Sequence, residues 1–163
     1  MINSSRVIID LPVDNAVQAA TPWILSPNFI CGLLFALMLL ATYLDQRRRK
    51  VAKWIDATLF GVFGIEGLIL TFLIFVSVHE ATSPNWLYLW LNPLCLIVPI
   101  FIWLKKCKIV VLSYHFINFA TSLALCFIWI SEVQYLNTAF IPLIFCGIMR
   151  SSSYIKLNFK RND

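Results

Sequence analysis

Residues 77 to 94 read Ser77-Val78-His79-Glu80-Ala81-Thr82-Ser83-Pro84-Asn85-Trp86-Leu87-Tyr88-Leu89-Trp90-Leu91-Asn92-Pro93-Leu94. A short polar turn with an aromatic exit sits here between two apolar runs. Each run is long enough to cross a bilayer, and Trp86, Tyr88 and Trp90 have the amphipathic character of residues at a membrane–water boundary. The stretch therefore reads as a hairpin between two membrane helices, and the same alternation of apolar run and polar turn recurs along the chain.

The 163 residues are 60% hydrophobic and 13% charged, with a mean hydropathy of +0.81. A soluble domain of this length cannot turn so much apolar surface inward, whereas lipid accepts it as outer solvent. The class is an all-α integral membrane protein, a single five-helix bundle. Spans are expected at about 23–44, 57–78, 86–104, 109–130 and 136–149. Residues 1–21 are expected as a short extracytoplasmic tail without signal-peptide character, and 151–163 as a basic cytoplasmic tail.

The formal net charge is +5, but the cations cluster at the ends of apolar runs: Arg47 to Lys53, Lys105 to Lys108, and Arg150 to Arg161. That is the pattern of cytoplasmic loops that resist translocation, and it argues against a nucleic-acid partner. Twelve of the thirteen Lys and Arg fall on one side of the expected topology, leaving Arg6 on the other. With five spans, the amino terminus is then outside and the carboxyl terminus inside.

Within the spans, Gly61, Gly64 and Gly67 recur every three residues and suit close helix packing. Asp56 is expected as the N-cap of the second helix, and Pro93 and Pro99 predict a kinked third helix. Glu66 is the acid deepest in the apolar runs. His115, Asn118 and Ser122 share one face of the fourth helix, which should look into the bundle. Glu66 and His115 differ in depth by about 5 Å at 1.5 Å per residue. They would meet if the second and fourth helices pack together, as a structural clasp, a proton relay or a headgroup anchor.

His79-Glu80 lacks the second histidine of a zinc-protease helix, since position 83 is Ser. His79 and His115 differ in depth by roughly 20 Å and cannot share a haem. The five cysteines have neither metal-ligand spacing nor an even count. No metal or cofactor is expected. A transporter would need matching broken helices in two repeats, which the odd span count and the uneven prolines do not provide.

The outer rim remains as the candidate site. His79, Thr82, Asn85, Trp90, Asn92, Gln134 and Asn137 would gather there, either to meet lipid headgroups or another domain, or simply to cap loops and anchor the interface.

The pattern Ser77-x-His79-x-x-Thr82-x-x-Asn85, followed by Leu89-Trp90-x-Asn92-Pro93-Leu94, resembles the membrane domain of the Lnb-type lipoprotein N-acyltransferases. The resemblance extends to Trp54-x-Asp56-x-x-Leu59-Phe60-Gly61 through Gly64 and Gly67, to Gln134 through Asn137, to Pro142-Leu143 and to Arg150. It implies a bacterial inner-membrane protein with five membrane helices. In that family a periplasmic catalytic domain precedes the helices and acylates the amino group of a lipidated amino-terminal cysteine. Only about 22 residues precede the first span here, so no catalytic residue is carried over. The expectation is a non-catalytic module that anchors, or supplies lipid to, an envelope acyltransferase. Its partners would be membrane lipid and a separately encoded periplasmic domain or lipoprotein. The alternatives are a stand-alone lipid-modifying enzyme using His79, or a small transporter.

Overall fold

A computed structural model describes residues 22–76, 85–131 and 137–159. Among them there is no strand, and five helical segments follow one another. Helix α1 is Pro27–Arg48, α2 is Lys53–Phe75, α3 is Ile97–Phe101, α4 is Lys108–Ile130 and α5 is Phe140–Phe159. Three stretches are long and apolar enough to cross a membrane unaided: Pro27–Arg48, Lys53–Phe75 and Lys105–Ile130. At 1.5 Å per residue the 22 residues of α1 span about 33 Å, close to the hydrocarbon thickness of a bilayer.

Local chemistry sets the ends of α1. The Ser26 hydroxyl accepts the Phe29 amide at 3.3 Å, and Pro27 fills the first position, where no intrahelical donor is required. At the other end Arg49 takes a left-handed conformation with φ 51°. Its amide returns to Gln46 and that of Lys50 to Asp45, the paired bonds of a Schellman stop. The Asp45 carboxylate then accepts the Ala52 amide at 3.0 Å, which turns the chain directly into α2.

Helix α2 starts four residues earlier than the charge pattern suggested. Asp56 is therefore not its N-cap, since Ala52 holds that position and supplies no side-chain cap. Asp56 lies inside the first turn, fully buried.

The third segment differs most from expectation. Residues 86–104 form no single kinked helix. They form two 3-10 turns, Trp86–Leu89 and Pro93–Leu96, and the five-residue α3. Pro93 and Pro99 lack the amide hydrogens that would continue a helix, and Asn92 stabilises the break. Its Oδ1 accepts the Leu94 amide at 3.1 Å, while its Nδ2 donates to the Leu89 carbonyl at 3.4 Å. Irregular backbone at membrane depth survives only where protein covers it, and α2 provides the cover. A Cβ built on Gly67 would fall 2.5 Å from the Asn92 carbonyl carbon, and one on Gly64 would fall 2.6 Å from the Leu96 side chain. Gly61 is looser, with Pro99 at 3.8 Å.

Helix α5 also departs from expectation. It does not end at Met149 but continues through Phe159, so residues 151–159 form part of the bundle rather than a tail. It packs against both α1 and α4. Its second half buries Arg150, Ser151, Ser153 and Tyr154. The core of the bundle is Phe60, Phe63, Trp90, Val98, Val111, Tyr114, Leu125 and Ile144, where α2, the broken segment, α4 and α5 converge.

Candidate functional site

The polar side chains of the bundle form two adjoining layers, both organised by α5. In the first, Arg150 is fully buried between two acids. Its Nε donates to Asp56 Oδ1 at 2.5 Å, its Nη2 to Asp45 Oδ2 at 2.7 Å, and its Nη1 to the Thr42 hydroxyl at 3.3 Å. One guanidinium thus ties α1, α2 and α5 together, using the forked donor geometry that lysine lacks. Arg150, which the charge pattern places with the basic tail, belongs instead to the interior.

The second layer starts at the next residue. Ser151 Oγ lies 3.1 Å from His115 Nδ1 and accepts from Asn118 Nδ2 at 2.9 Å. The Tyr114 hydroxyl reaches Asn118 Oδ1 at 3.5 Å. The His115 ring stacks on Tyr154 at 4.2 Å and meets Phe60 edge-on at 5.1 Å. A serine hydroxyl beside an imidazole is the beginning of a nucleophile–base pair. Here both residues are 0% exposed, and the imidazole lies between the Tyr154 and Phe60 rings. The arrangement acts as a clamp between α4 and α5. Trp90 Nε1, His115 Nε2 and Ser122 Oγ are buried and have no hydrogen-bond partner among the described residues.

His115, Asn118 and Ser122 all lie inside the bundle. Glu66 does not join them: it lies on the exposed face of α2, and the partners of His115 come from α2, α4 and α5 without it. The helix rotation that turns Phe63, Gly64 and Gly67 inward turns Glu66 out.

Of the outer-rim residues, His79, Thr82 and Gln134 lie outside the described residues. Asn85, Asn92 and Asn137 each close a local turn, accepting the amides of Leu87, Leu94 and Ala139 at 3.1, 3.1 and 2.9 Å. Trp90 is 1% exposed and packs edge-on against Phe63 at 4.9 Å, so it is a core residue rather than a rim residue. Among the described residues no group of three His, Cys, Asp or Glu is placed to hold a metal ion.

Ser151 and the Asp45–Arg150–Asp56 triad were not singled out from sequence. The available signal was the spacing of Arg150, Ser151 and Tyr154 at i, i+1 and i+4, with two acids and two core-facing polar residues elsewhere still needing partners.

At one end, Arg49, Lys50, Lys53, Lys105 and Lys108 line two cavities, with Tyr154 and Asn158 of α5 completing the walls. At the other end, α4 and α5 enclose a small apolar crevice of about 80 Å³, lined by residues that include Leu125, Trp129, Ile141 and Phe145.

These features define a polytopic helical membrane domain, locked internally by buried polar contacts and greasy on its outer surface. The chain belongs to the Lnb transmembrane domain family, whose model matches residues 19–162. No curated protein and no solved structure matches it.

Proposed function

We propose that this chain is the membrane-embedded module of an Lnb-type acyltransferase in a bacterial inner membrane. It anchors the enzyme and presents lipid, while acyl transfer to a lipoprotein amino terminus is carried out by a periplasmic catalytic portion. The observation that carries this reading is the family match over residues 19–162. Two features of the bundle support it. The one serine–histidine contact in the described core is sealed from solvent and lipid, and the crevice between α4 and α5 has a wholly apolar lining. Its volume of about 80 Å³ lies well below the roughly 300–1,000 Å³ of small-molecule sites, room for a short stretch of hydrocarbon rather than a whole acyl chain.

The orientation belongs to the same proposal. Arg49, Lys50, Lys53, Lys105 and Lys108 gather at one end, and cations of this kind hold loops in the cytoplasm. The crevice, with Asn85 and Asn137, then lies at the periplasmic end.

The test measures N-acylation of a diacylated lipopeptide by mass spectrometry. Purified protein alone is expected to give no turnover, and co-expression with a periplasmic Lnb-type catalytic domain is expected to give turnover. Turnover by the chain alone, abolished by His79→Ala, would overturn the module reading in favour of a stand-alone enzyme.

A further inference from the structure

The basic end of the bundle contains a built concavity that the acyltransferase reading does not use. Two cavities of about 610 and 450 Å³ adjoin there and share Lys53, Tyr154 and Asn158 as a common wall. Arg49 and Lys50 line the first and Lys105 and Lys108 the second, so five cations with Lys53 face one basin. Among the described residues no acid lines either cavity. The ion pairs among the described residues are those of Arg150 with Asp45 and Asp56, and none involves these five cations. Each volume lies in the range of small-molecule sites.

Two further features of the basin point to an anion. The N-cap Ala52 and the first two residues of α2, Lys53 and Trp54, form part of the wall. That helix carries no side-chain cap, and the amides of Lys53 and Trp54 donate to no group among the described residues. An uncapped helix start of this kind presents unsatisfied donors and the positive end of the helix dipole. At the rim, the Trp54 and Trp103 rings lie 4.6 Å apart and the Lys53 ammonium sits 5.6 Å from the Trp103 ring centre. Indole rings of this sort belong at headgroup depth.

We propose that this basin is a phosphate-binding site whose ligand is either the headgroup of an anionic phospholipid in the surrounding leaflet or a soluble phosphate. Lys53 is its central cation, common to both cavities, and the open start of α2 supplies backbone donors. A diffuse positive surface would attract anionic lipid without selecting a position. A basin with shared walls selects one, and that difference can be measured.

The experiment uses the full chain in detergent micelles. Native mass spectrometry compares retention of phosphatidylglycerol and phosphatidylcholine, with and without inorganic phosphate. Phosphatidylglycerol should be retained and phosphatidylcholine stripped. Lys53→Gln/Lys108→Gln should weaken phosphatidylglycerol binding by about thirty-fold, roughly five-fold for each cation removed. The control Arg48→Gln/Lys106→Gln loses the same charge from positions outside the lining, and its binding should fall by less than about five-fold.

Displacement of phosphatidylglycerol by inorganic phosphate, with a raised melting temperature, identifies a soluble phosphate as sufficient. Retention unaffected by phosphate identifies the lipid as the ligand. Equal losses in the two double variants, or equal retention of both lipids with no thermal response to phosphate, would overturn the proposal. The unliganded melting temperature of Lys53→Gln/Lys108→Gln, expected to be unchanged, separates lost binding from lost folding.

Discussion

Replacing Arg150 with Gln should be the most damaging single change in the bundle, and its size follows from the surroundings of the guanidinium. Arg150 and Asp56 have fully buried side chains, and Asp45 is 6% exposed. Exposed ion pairs contribute about 0–1 kcal/mol. Breaking a buried pair from one side costs about 3–5 kcal/mol, because the remaining charge stays desolvated without a partner. Arg150→Gln leaves two carboxylates in that position, so the expected loss is at the upper end. That is a large share of the roughly 5–15 kcal/mol of net stability typical of folded proteins. Asp56→Asn should cost less, since one acid and one base remain paired through Asp45. The triple variant Arg150→Met/Asp45→Asn/Asp56→Asn removes every charge and should recover at least half of the single-variant loss. Asn at position 45 keeps an oxygen for the Ala52 amide, which now bonds to Asp45 at 3.0 Å. Unfolding in mixed micelles of rising dodecyl sulfate content, followed by tryptophan fluorescence, gives all three numbers; Trp90, at 1% exposure, is a buried reporter. An Arg150→Gln loss under about 1 kcal/mol, or a triple variant as damaged as the single, would refute a charge-locked interior.

Four other outcomes follow from the same geometry. Gly67→Ala should cost about 1–3 kcal/mol, because the new methyl meets the Asn92 backbone, whereas Gly61→Ala should be neutral or stabilising, since Pro99 stands at contact distance; the micelle unfolding assay compares the two. Ser151→Ala removes a hydrogen-bond partner shared by His115 and Asn118 and should cost about 1–3 kcal/mol in that assay. Glu66→Leu loses no partner among the described residues and should change stability by less than about 0.5 kcal/mol, with a larger loss indicating that the carboxylate has a partner. In a background without native cysteines, Asn85→Cys should react with a membrane-impermeant maleimide in intact spheroplasts and Lys106→Cys only after lysis; the reverse pattern would invert the proposed orientation.

The three long helices were legible because hydropathy over some twenty residues reports a lipid-facing surface directly. Residues 86–104 were harder: prolines announce a break, but whether the result is a kink or a chain of 3-10 turns depends on what covers the exposed backbone. Here Gly64 and Gly67 on α2 allow that cover, and Asn92 completes it. The glycines were legible as a packing surface, but their occupant was not. In sequence the outer rim looks like one cluster because most of its polar residues are near one another. In the described part, Asn85, Asn92 and Asn137 each serve the backbone two residues on.

The second half of α5 shows why hydropathy alone misreads such a chain. Arg150, Ser151 and Ser153 look like the start of a solvated tail because each is polar. In lipid, though, a buried polar group left without a partner from within the protein is costly. Asp45 and Asp56 flank the first turn between helices, and both are buried. His115 and Asn118 face the core from α4 with one partner in common. Two acids and two neutral polar groups thus required a cation and a hydroxyl at matching depth, and Arg150-Ser151 supplies both in consecutive positions. Gln46 donates to Ser153 at 3.0 Å two residues further on, extending the same logic along the α1–α5 contact. Polar demand inside the bundle, rather than apolar surface outside it, continues the fifth helix to Phe159.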